Sequence, residues 1–334
     1  MKILFTSVGR RVELVQAFRK AADELQIGLT IIGADITKDA PALYFCDDKK
    51  IVCRIKDRNY IPQLLAICES EKVDCLIPTI DTDLLLLAEN KHRFEAIGTK
   101  VLISAIDKVK LCRDKNYTAD YFVSLGLKSP LPVNSIDKYE AMLKEGKVSF
   151  PAFIKPKDGS SSIDAYKVDN LEDLKLYAEK IEDYIIQPFI SGKEFTIDIF
   201  CDYEGNPVFI TPRERLTVRS GEVLKTRITQ DDTMIAEALM LIQDFKPCGQ
   251  ITVQLIREET SGVDYYIEIN PRFGGGAPLS IKAGADSAMA VLKMLNGEKL
   301  TYQEKAARDG VIYSRFDQSV CVNGGVQFEN GETL

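Results

Sequence analysis

The chain has 334 residues, of which 45% are hydrophobic and 28% are charged, and its formal net charge is -7. This length predicts two or three modules. The negative charge argues against a nucleic-acid partner, because such binding depends on many Lys and Arg contacts with phosphates. No apolar run approaches the roughly 20 residues of a membrane-spanning helix. The short apolar start resembles a first strand rather than a signal peptide, which favours a cytoplasmic location.

The chain offers little for nucleophilic catalysis by histidine or cysteine. Its one histidine, His92, lies in a polar stretch, which excludes most Ser-His-Asp and Cys-His mechanisms. The eight cysteines form no CxxC pair and mostly lie in apolar runs. They therefore indicate reduced, mostly buried thiols rather than a zinc site or a disulfide framework.

Residues 1–112 alternate short apolar runs with amphipathic stretches. Strands are predicted at residues 2–6, 29–34, 74–78 and 100–104, with a helix at residues 12–25 after the first turn. This order is typical of βαβ units and a doubly wound parallel sheet. The first turn contains only Gly9, whereas a dinucleotide-binding turn needs three glycines as GxGxxG. NAD or FAD binding is therefore not expected here.

A second module begins with a predicted helix at residues 116–125, which Gly126 ends. Lys155 closes an apolar strand at residues 152–154 and precedes a glycine-serine loop with Ser160, Ser161 and Ser162. A lysine followed by such a loop suits a phosphate chain, which backbone N–H groups and hydroxyls can surround. A polar turn with a surface lysine is the alternative.

The segment from Gln187 to Ile190 joins two apolar strands and contains Pro188. Because proline donates no ladder hydrogen bond, we expect the chain to leave regular pairing there and to expose backbone groups that suit an adenine edge. Glu194 follows and is a candidate acceptor for ribose hydroxyls. The alternative is a hinge in which Glu194 is simply solvated.

The third module is predicted to be largely antiparallel sheet, with strands at residues 195–201, 207–211, 249–257 and 265–270 and a helix at residues 233–245. Strand alternation sets Glu268 and Asn270 on one face, opposite Ile267 and Ile269. A carboxylate and a carboxamide suit Mg²⁺, which takes substrate phosphates as further ligands. Arg272 and three glycines follow directly, which places a bidentate phosphate donor beside the metal.

In this order and spacing, the motifs resemble the ATP-grasp superfamily, and most closely one ATP-grasp unit of the carbamoyl-phosphate synthase large subunit. The resemblance implies an α/β and α+β chain: a pre-ATP-grasp, Rossmann-like domain at residues 1–112, a small ATP-grasp subdomain at 113–190 and a large one at 191–334. It implies ATP contacts for Lys115, Lys155, Ser160, Ser161, Ser162, Gln187, Pro188, Phe189, Ile190, Glu194 and Arg213. It also implies that Gln254, Glu268 and Asn270 bind the metal, and that Arg272 and Lys155 are catalytic.

The function implied is an ATP- and Mg²⁺-dependent ligase, with Mn²⁺ as a substitute metal, that joins a carboxylate or bicarbonate to an amine through an acyl phosphate. The expected partners are small molecules, with neither nucleic acid nor membrane, and the sequence leaves room for a homodimer. An ATP-grasp kinase and a nucleotide-binding regulatory protein stay open as alternatives. The segments at residues 7–11, 79–83 and 213–219 are expected to hold the acceptor, whose identity they do not reveal, and Arg213, Arg215 and Lys225 are candidates for its phosphate or carboxylate site.

Overall fold

The computed structural model describes residues 1–158 and 164–322. The N-terminal module is a five-stranded parallel sheet, and its order β3-β2-β1-β4-β5 confirms the predicted doubly wound topology. Because the strand order reverses between β1 and β4, the loops that follow these two strands border the crevice in which such sheets bind ligands. The strands are β1 (Lys2–Thr6), β2 (Thr30–Asp35), β3 (Asp48–Ile51), β4 (Cys75–Pro78) and β5 (Lys100–Val101).

Helices cover both faces of this sheet. Helix α1 spans Val12–Leu25, as predicted, and a 3-10 helix at Pro41–Phe45 packs beside it. The next helices along the chain are α2 (Tyr60–Glu71), α3 (Leu84–Ala96) and α4 (Ile106–Arg113). No helix in the described part of the chain is both long and apolar enough to cross a bilayer.

The small module has its own sheet and core. Strands β6 (Ala152–Pro156), β7 (Tyr166–Val168) and β8 (Tyr184–Pro188) form an antiparallel sheet in the order β7-β6-β8, which helices α6 (Ile136–Lys144) and α7 (Leu171–Ala178) cover. Helix α5 (Lys115–Ser124) packs against the large sheet instead, because Phe122 lies in the core of that sheet, as does Leu127 just after the helix. The first residue of the small module's core is Val133, which lies after the predicted boundary at residue 113.

The large module is a six-stranded sheet whose pairings are antiparallel, in the order β13-β12-β9-β10-β11-β14. Helix α8 (Asp232–Phe245) packs on one face together with α5. The strands are β9 (Gly192–Cys201), β10 (Pro207–Arg219), β11 (Glu222–Ile228), β12 (Gly249–Glu258), β13 (Asp264–Asn270) and β14 (Ile312–Ser314).

A bulge in β13 corrects one part of the predicted alternation. Gln254 pairs with Glu268 and Leu255 with Tyr266, so Ile267 has no partner of its own on β12. Tyr266 and Ile269 consequently lie in the core with α8, whereas Ile267 does not. Glu268 and Asn270 still share the opposite face, as expected.

One hydrophobic core joins the N-terminal module to the large one. Helix α9 (Ala277–Ala283) and α10 (Ser287–Leu295) pack against α1, and the same core contains Phe200 and Phe209 of the large sheet. Phe18 lies edge-on to both Phe5 and Phe273, with ring centroids 5.1 and 5.9 Å away. This core holds the crevice of the parallel sheet against the polar face of the large sheet.

Candidate active site

A cavity of about 310 Å³ lies between the crevice and the large sheet. The N-terminal module contributes Arg11, after β1, and residues 80–82, after β4. The large sheet contributes polar side chains of β9 to β13, and residues 274–276 close one side. Side chains that are distant in sequence thus meet at the edge where a doubly wound sheet binds its ligands.

Glu268 is the centre of the predicted metal triplet. Gln254 Nε2 and Asn270 Nδ2 donate to the same oxygen, Glu268 Oε1, over 2.6 and 3.0 Å. One carboxylate and two carboxamides converge, and a half-turn of either amide would present its oxygen instead. This donor set fits Mg²⁺, which binds one or two carboxylates and takes its other ligands from water and phosphates. No cluster of three or more His, Cys, Asp and Glu side chains forms a metal site by itself within residues 1–158 and 164–322.

Arg272 links the triplet to the N-terminal module. Its Nη2 donates to Asn270 Oδ1 over 3.2 Å and to Asp81 Oδ2 over 2.6 Å. Arg215, on β10, donates through Nη1 to Gln254 Oε1 over 2.8 Å and through Nη2 to Gly221 O over 2.9 Å. Both guanidinium groups therefore fix the amides that surround Glu268.

Arg213 is the most deeply buried of the cavity's arginines. Only 2% of its surface is exposed, and its Nε donates to Asp198 Oδ2 over 2.8 Å. Ser280 and Thr252 also donate to this carboxylate. A buried pair that is satisfied by further hydrogen bonds holds its guanidinium in one orientation. Arg213 lines the cavity, and its buried Nη1 has no hydrogen-bond acceptor among the described residues.

The two predicted phosphate lysines lie near Glu268. Loss of solvation is the main cause that lowers the pKa of Lys155 to about 8; Glu268 acts in the opposite direction, and the Lys115 charge adds to the lowering. Loss of solvation also lowers the pKa of Lys115, against the charge of Glu268. Lys115 donates to Lys157 O over 3.3 Å and lines a second hollow of about 100 Å³, which reaches Glu268 and Asn270. The charge of Glu268 therefore favours the protonated form of both lysines.

The predicted adenine and ribose residues lie outside the main cavity. Pro188 still pairs with Ala152, and Phe189 N donates to Pro151 O over 3.2 Å, so regular pairing ends directly after Pro188, where β8 ends. The Gln187 amide is buried and donates to Pro130 O. Ile190 follows at the start of the link to β9. Proline is tolerated at this last position of β8 because residue 188 donates no hydrogen bond to β6.

Glu194 lies on β9 and forms an ion pair with Arg215, whose Nε is 3.2 Å from Glu194 Oε2. Half of the Glu194 side chain is exposed, so it connects the surface to the Arg215–Gln254–Glu268 chain of contacts. Lys225 is exposed on β11 and does not line the cavity. Ser160, Ser161 and Ser162 lie outside the described residues.

Three residues line the cavity although the sequence analysis gives them no individual role. Arg11 and Asp81 lie in segments that the sequence singles out without assigning a role. Glu222 had no sequence signal at all, because it simply follows the Ser220-Gly221 turn between β10 and β11. Burial would raise the pKa of Glu222, but Arg11, Arg315 and Arg272 lower it overall, so this carboxyl is ionised.

Two family models match the chain. The PylC-like N-terminal domain matches residues 3–102, and the ATP-grasp domain matches residues 112–276. Carbamoyl-phosphate synthase from Methanobrevibacter smithii is 29% identical over 189 residues, which cover 55% of this chain and 49% of that protein. The N-terminal section of the carbamoyl phosphate synthase large chain from Aquifex aeolicus is 26% identical over 275 residues, 73% of this chain and 49% of that protein.

The chain therefore spans about half the length of these curated relatives. Among solved structures, a biotin carboxylase complex with β-γ-ATP from Campylobacter jejuni has a TM-score of 0.74 at 16% identity and covers 93% of this chain and 74% of that one. At that identity the likeness concerns the fold, and it agrees with the order of sheets described above.

Proposed function

This chain is an ATP-grasp protein with a PylC-like N-terminal domain, and we propose that it is a ligase that joins a carboxylate or bicarbonate to an amine. The predicted superfamily, fold class and ATP-dependent enzyme class are confirmed. ATP and Mg²⁺ are accordingly its cosubstrate and its metal. We propose Mn²⁺ as a substitute metal. The reaction passes through an acyl phosphate.

One observation carries the proposal: Glu268 accepts hydrogen bonds from Gln254 and Asn270 at the edge of a cavity that four arginines line. Within residues 1–158 and 164–322, Glu268 accepts from two neutral amides, and the charges of Lys115 and Lys155 lie near it. An incoming cation would replace the two amide donors and would be shared with an anionic ligand that the arginines bind. The cavity thus suits a metal-bound phosphate beside an organic anion.

The chain's residues position the reactants and neutralise their charge. Lys115 of α5 and Lys155 of the small module bind the phosphates. The nucleoside is held by Gln187, Pro188, Phe189, Ile190 and Glu194. Gln254, Glu268 and Asn270 hold Mg²⁺, which supplies charge stabilisation to the phosphoryl group when it is bound. Arg272 stabilises the charge on the transferring group, and Arg213 orients the acceptor.

Two bonds are exchanged in the reaction. An acceptor oxygen attacks the terminal phosphorus of ATP, and the bond to the bridging oxygen breaks, which releases ADP. An amine nitrogen then attacks the acyl carbon, phosphate leaves with the bonding electrons, and the nitrogen loses a proton. Neither step needs a histidine or a cysteine nucleophile, in agreement with a chain that has one histidine.

Trapping of the acyl phosphate tests the proposal. The protein is incubated with ATP, Mg²⁺ and a panel of amino acids, dicarboxylates and bicarbonate, first for ADP release and then with hydroxylamine, which converts acyl phosphates to hydroxamates. We expect one carboxylate to stimulate both signals. A phosphorylated alcohol with no hydroxamate would favour the kinase alternative, and ATP binding without any turnover would favour a regulatory protein.

The assembly of the protein belongs to the same proposal. We propose a homodimer that binds small molecules only, in line with a chain whose formal charge is -7. Light scattering of the purified protein measures its mass directly. A mass of one chain at every concentration would contradict the dimer without affecting the ligase proposal.

A further inference from the structure

Each amide of the metal triplet contacts Glu268 through its nitrogen and an arginine through its oxygen. Gln254 Nε2 donates to Glu268 Oε1 over 2.6 Å, and Gln254 Oε1 accepts from Arg215 Nη1 over 2.8 Å. Asn270 repeats the pattern: its Nδ2 donates to Glu268 Oε1 over 3.0 Å, and its Oδ1 accepts from Arg272 Nη2 over 3.2 Å. The five side chains thus form one chain of hydrogen bonds in the order arginine, amide, carboxylate, amide, arginine.

The two arginines determine which way each amide faces. The oxygen and nitrogen of a carboxamide exchange places by a half-turn, and the hydrogen-bond partners decide which arrangement is the stable one. A guanidinium group can only donate, so the amide atom that faces it has to be the oxygen. The nitrogen then faces the carboxylate, which can only accept when it is ionised. Arg215 and Arg272 therefore hold both amides with their N–H groups toward Glu268.

This orientation of the amides opposes the binding of a metal ion that arrives alone. Mg²⁺ binds amides through oxygen, and both amide oxygens already accept from positively charged groups. To bind a metal together with Glu268, an amide has to turn, which breaks its hydrogen bond to a charged group and brings its N–H group against the guanidinium donors. The charges of Lys115 and Lys155 also lie near Glu268. A lone cation therefore meets one carboxylate among donors and positive charges.

Each arginine has a further partner that holds it beside its amide. Arg215 Nη2 donates to Gly221 O over 2.9 Å, and only 8% of the Arg215 side chain is exposed. Arg272 Nη2 also donates to Asp81 Oδ2 over 2.6 Å. Both arginines line the cavity, so an anionic ligand bound there competes with the amide oxygens for their N–H groups. A bound phosphate thus frees the amides to turn.

We propose that Arg215 and Arg272 are positioning residues for the metal site, which keep the oxygens of Gln254 and Asn270 turned away from Glu268 until an anionic ligand engages the two guanidinium groups. This inference rests on the proposed function and adds an order of binding to it. The metal enters the site together with the nucleotide phosphates and not before them. The two arginines act through the amides, without contacting the metal themselves.

Binding of Mn²⁺ without nucleotide tests this inference, because it needs no turnover. Electron paramagnetic resonance measures free Mn²⁺, and hence the dissociation constant, for the wild-type protein, Arg215→Met, Gln254→Leu and the double variant. Glu268→Gln identifies the site, since it removes the carboxylate ligand. Arg219→Met is the matched control for loss of a positive charge, because Arg219 also lies on β10, has 63% of its side chain exposed and does not line the cavity.

We expect Arg215→Met to bind Mn²⁺ at least about tenfold more tightly than the wild-type protein, because turning the Gln254 amide then breaks no hydrogen bond to a charged group. Part of the gain comes from removing a positive charge beside a cation, and that part does not depend on Gln254. The double-mutant cycle separates the two effects. The gain should be at least about tenfold larger with Gln254 than in the Gln254→Leu background, and Arg219→Met should match the wild-type protein.

The outcomes separate the inference from the function on which it rests. Equal gains in the two backgrounds would mean that only charge matters, and the role of the arginines in turning the amides would be wrong while the metal site stands. If Arg215→Met does not fold, Arg272→Met and Asn270→Leu give the equivalent cycle at the other amide, with the same expected result. A wild-type protein that binds no Mn²⁺ even with ADP would contradict the metal site itself, and with it the proposed function.

Discussion

Glu268 is the residue on which the metal site depends. Its Oε1 accepts from both Gln254 and Asn270, and glutamine in its place would keep the shape of the side chain and lose its charge. We expect Glu268→Gln to lower Mg²⁺-dependent ADP release by at least about a hundredfold, as when a group that stabilises a transition-state charge is removed. Steady-state kinetics over a range of Mg²⁺ concentrations measure the loss.

Glu298→Gln is the control for Glu268→Gln, because Glu298 is exposed after α10 and far in sequence from the cavity residues. Both variants should keep the wild-type circular dichroism spectrum and melting temperature to within a few degrees, since Glu268 is at the cavity surface. Wild-type turnover in Glu268→Gln would show that the metal binds elsewhere.

Lys155 should give ATP binding a dependence on pH. Loss of solvation lowers its pKa to about 8, and only the protonated form attracts phosphate. As the pH rises through about 8, the unliganded protein loses this charge, so the affinity for ATP should fall at higher pH and stay level below. Isothermal titration from about pH 7 to about pH 9.5 measures this slope.

Lys155→Met should remove most of that slope and weaken ATP by about ten- to a hundredfold at neutral pH, because a charged contact to phosphate is lost. Adenosine has no phosphate, so its affinity should change less than about twofold. Lys144→Met, which removes an exposed lysine of α6, is the control. Equal losses for ATP and adenosine would contradict a phosphate contact of Lys155.

At the scale of the elements, regular periodicity was the reliable guide. Helix α1 begins and ends at the predicted residues, and β1 also matches, because both have a clear apolar pattern. Strand β3 was missed, since its sequence Asp-Lys-Lys-Ile shows no apolar alternation and lies at the sheet edge. The bulge at Ile267 was also missed, because its cause is the pairing with β12, a neighbour that local sequence does not specify.

Gly192 begins β9 where the backbone of β12 approaches most closely. A Cβ atom there would lie 2.0 Å from Arg257 O, a clash with backbone that no side-chain rotation relieves. We expect Gly192→Ala to lower the free energy of unfolding by about 1 to 3 kcal/mol, as other forced overpacking does. Urea denaturation followed by circular dichroism measures it.

Gly28→Ala is the matched control for Gly192→Ala. No heavy atom lies within 4 Å of a Cβ built on Gly28, and its φ is not in the left-handed region. The control should change the free energy of unfolding by less than about 0.5 kcal/mol or raise it slightly, because alanine restricts the unfolded chain. Equal stability of the two variants would mean that β9 and β12 separate without cost at this point.

At the scale of the whole molecule, the candidate site is assembled from modules that the sequence treats separately. Gln254, Glu268, Asn270 and Arg272 could be found from strand alternation and from the resemblance. The contact of Arg272 with Asp81 spans 191 residues of chain and depends on how the parallel sheet packs against the large one. Glu222 enters the cavity only because the hairpin turn at Gly221 points toward Arg11. The packing of the N-terminal module against the large sheet depends on their shared core, so no local sequence motif predicts it.

That shared core predicts that the N-terminal module and the large sheet unfold together. Phe18 of α1 is fully buried between Phe5 and Phe273, so Phe18→Ala should lower the free energy of unfolding by about 3 to 5 kcal/mol. Hydrogen exchange followed by mass spectrometry should show faster exchange in β1 and in β9 alike. Phe316→Ala, at a side chain that is 77% exposed, should change stability by less than about 0.5 kcal/mol. Faster exchange confined to β1 would instead mean that the two modules unfold independently, and that the cavity between them opens without unfolding of the large sheet.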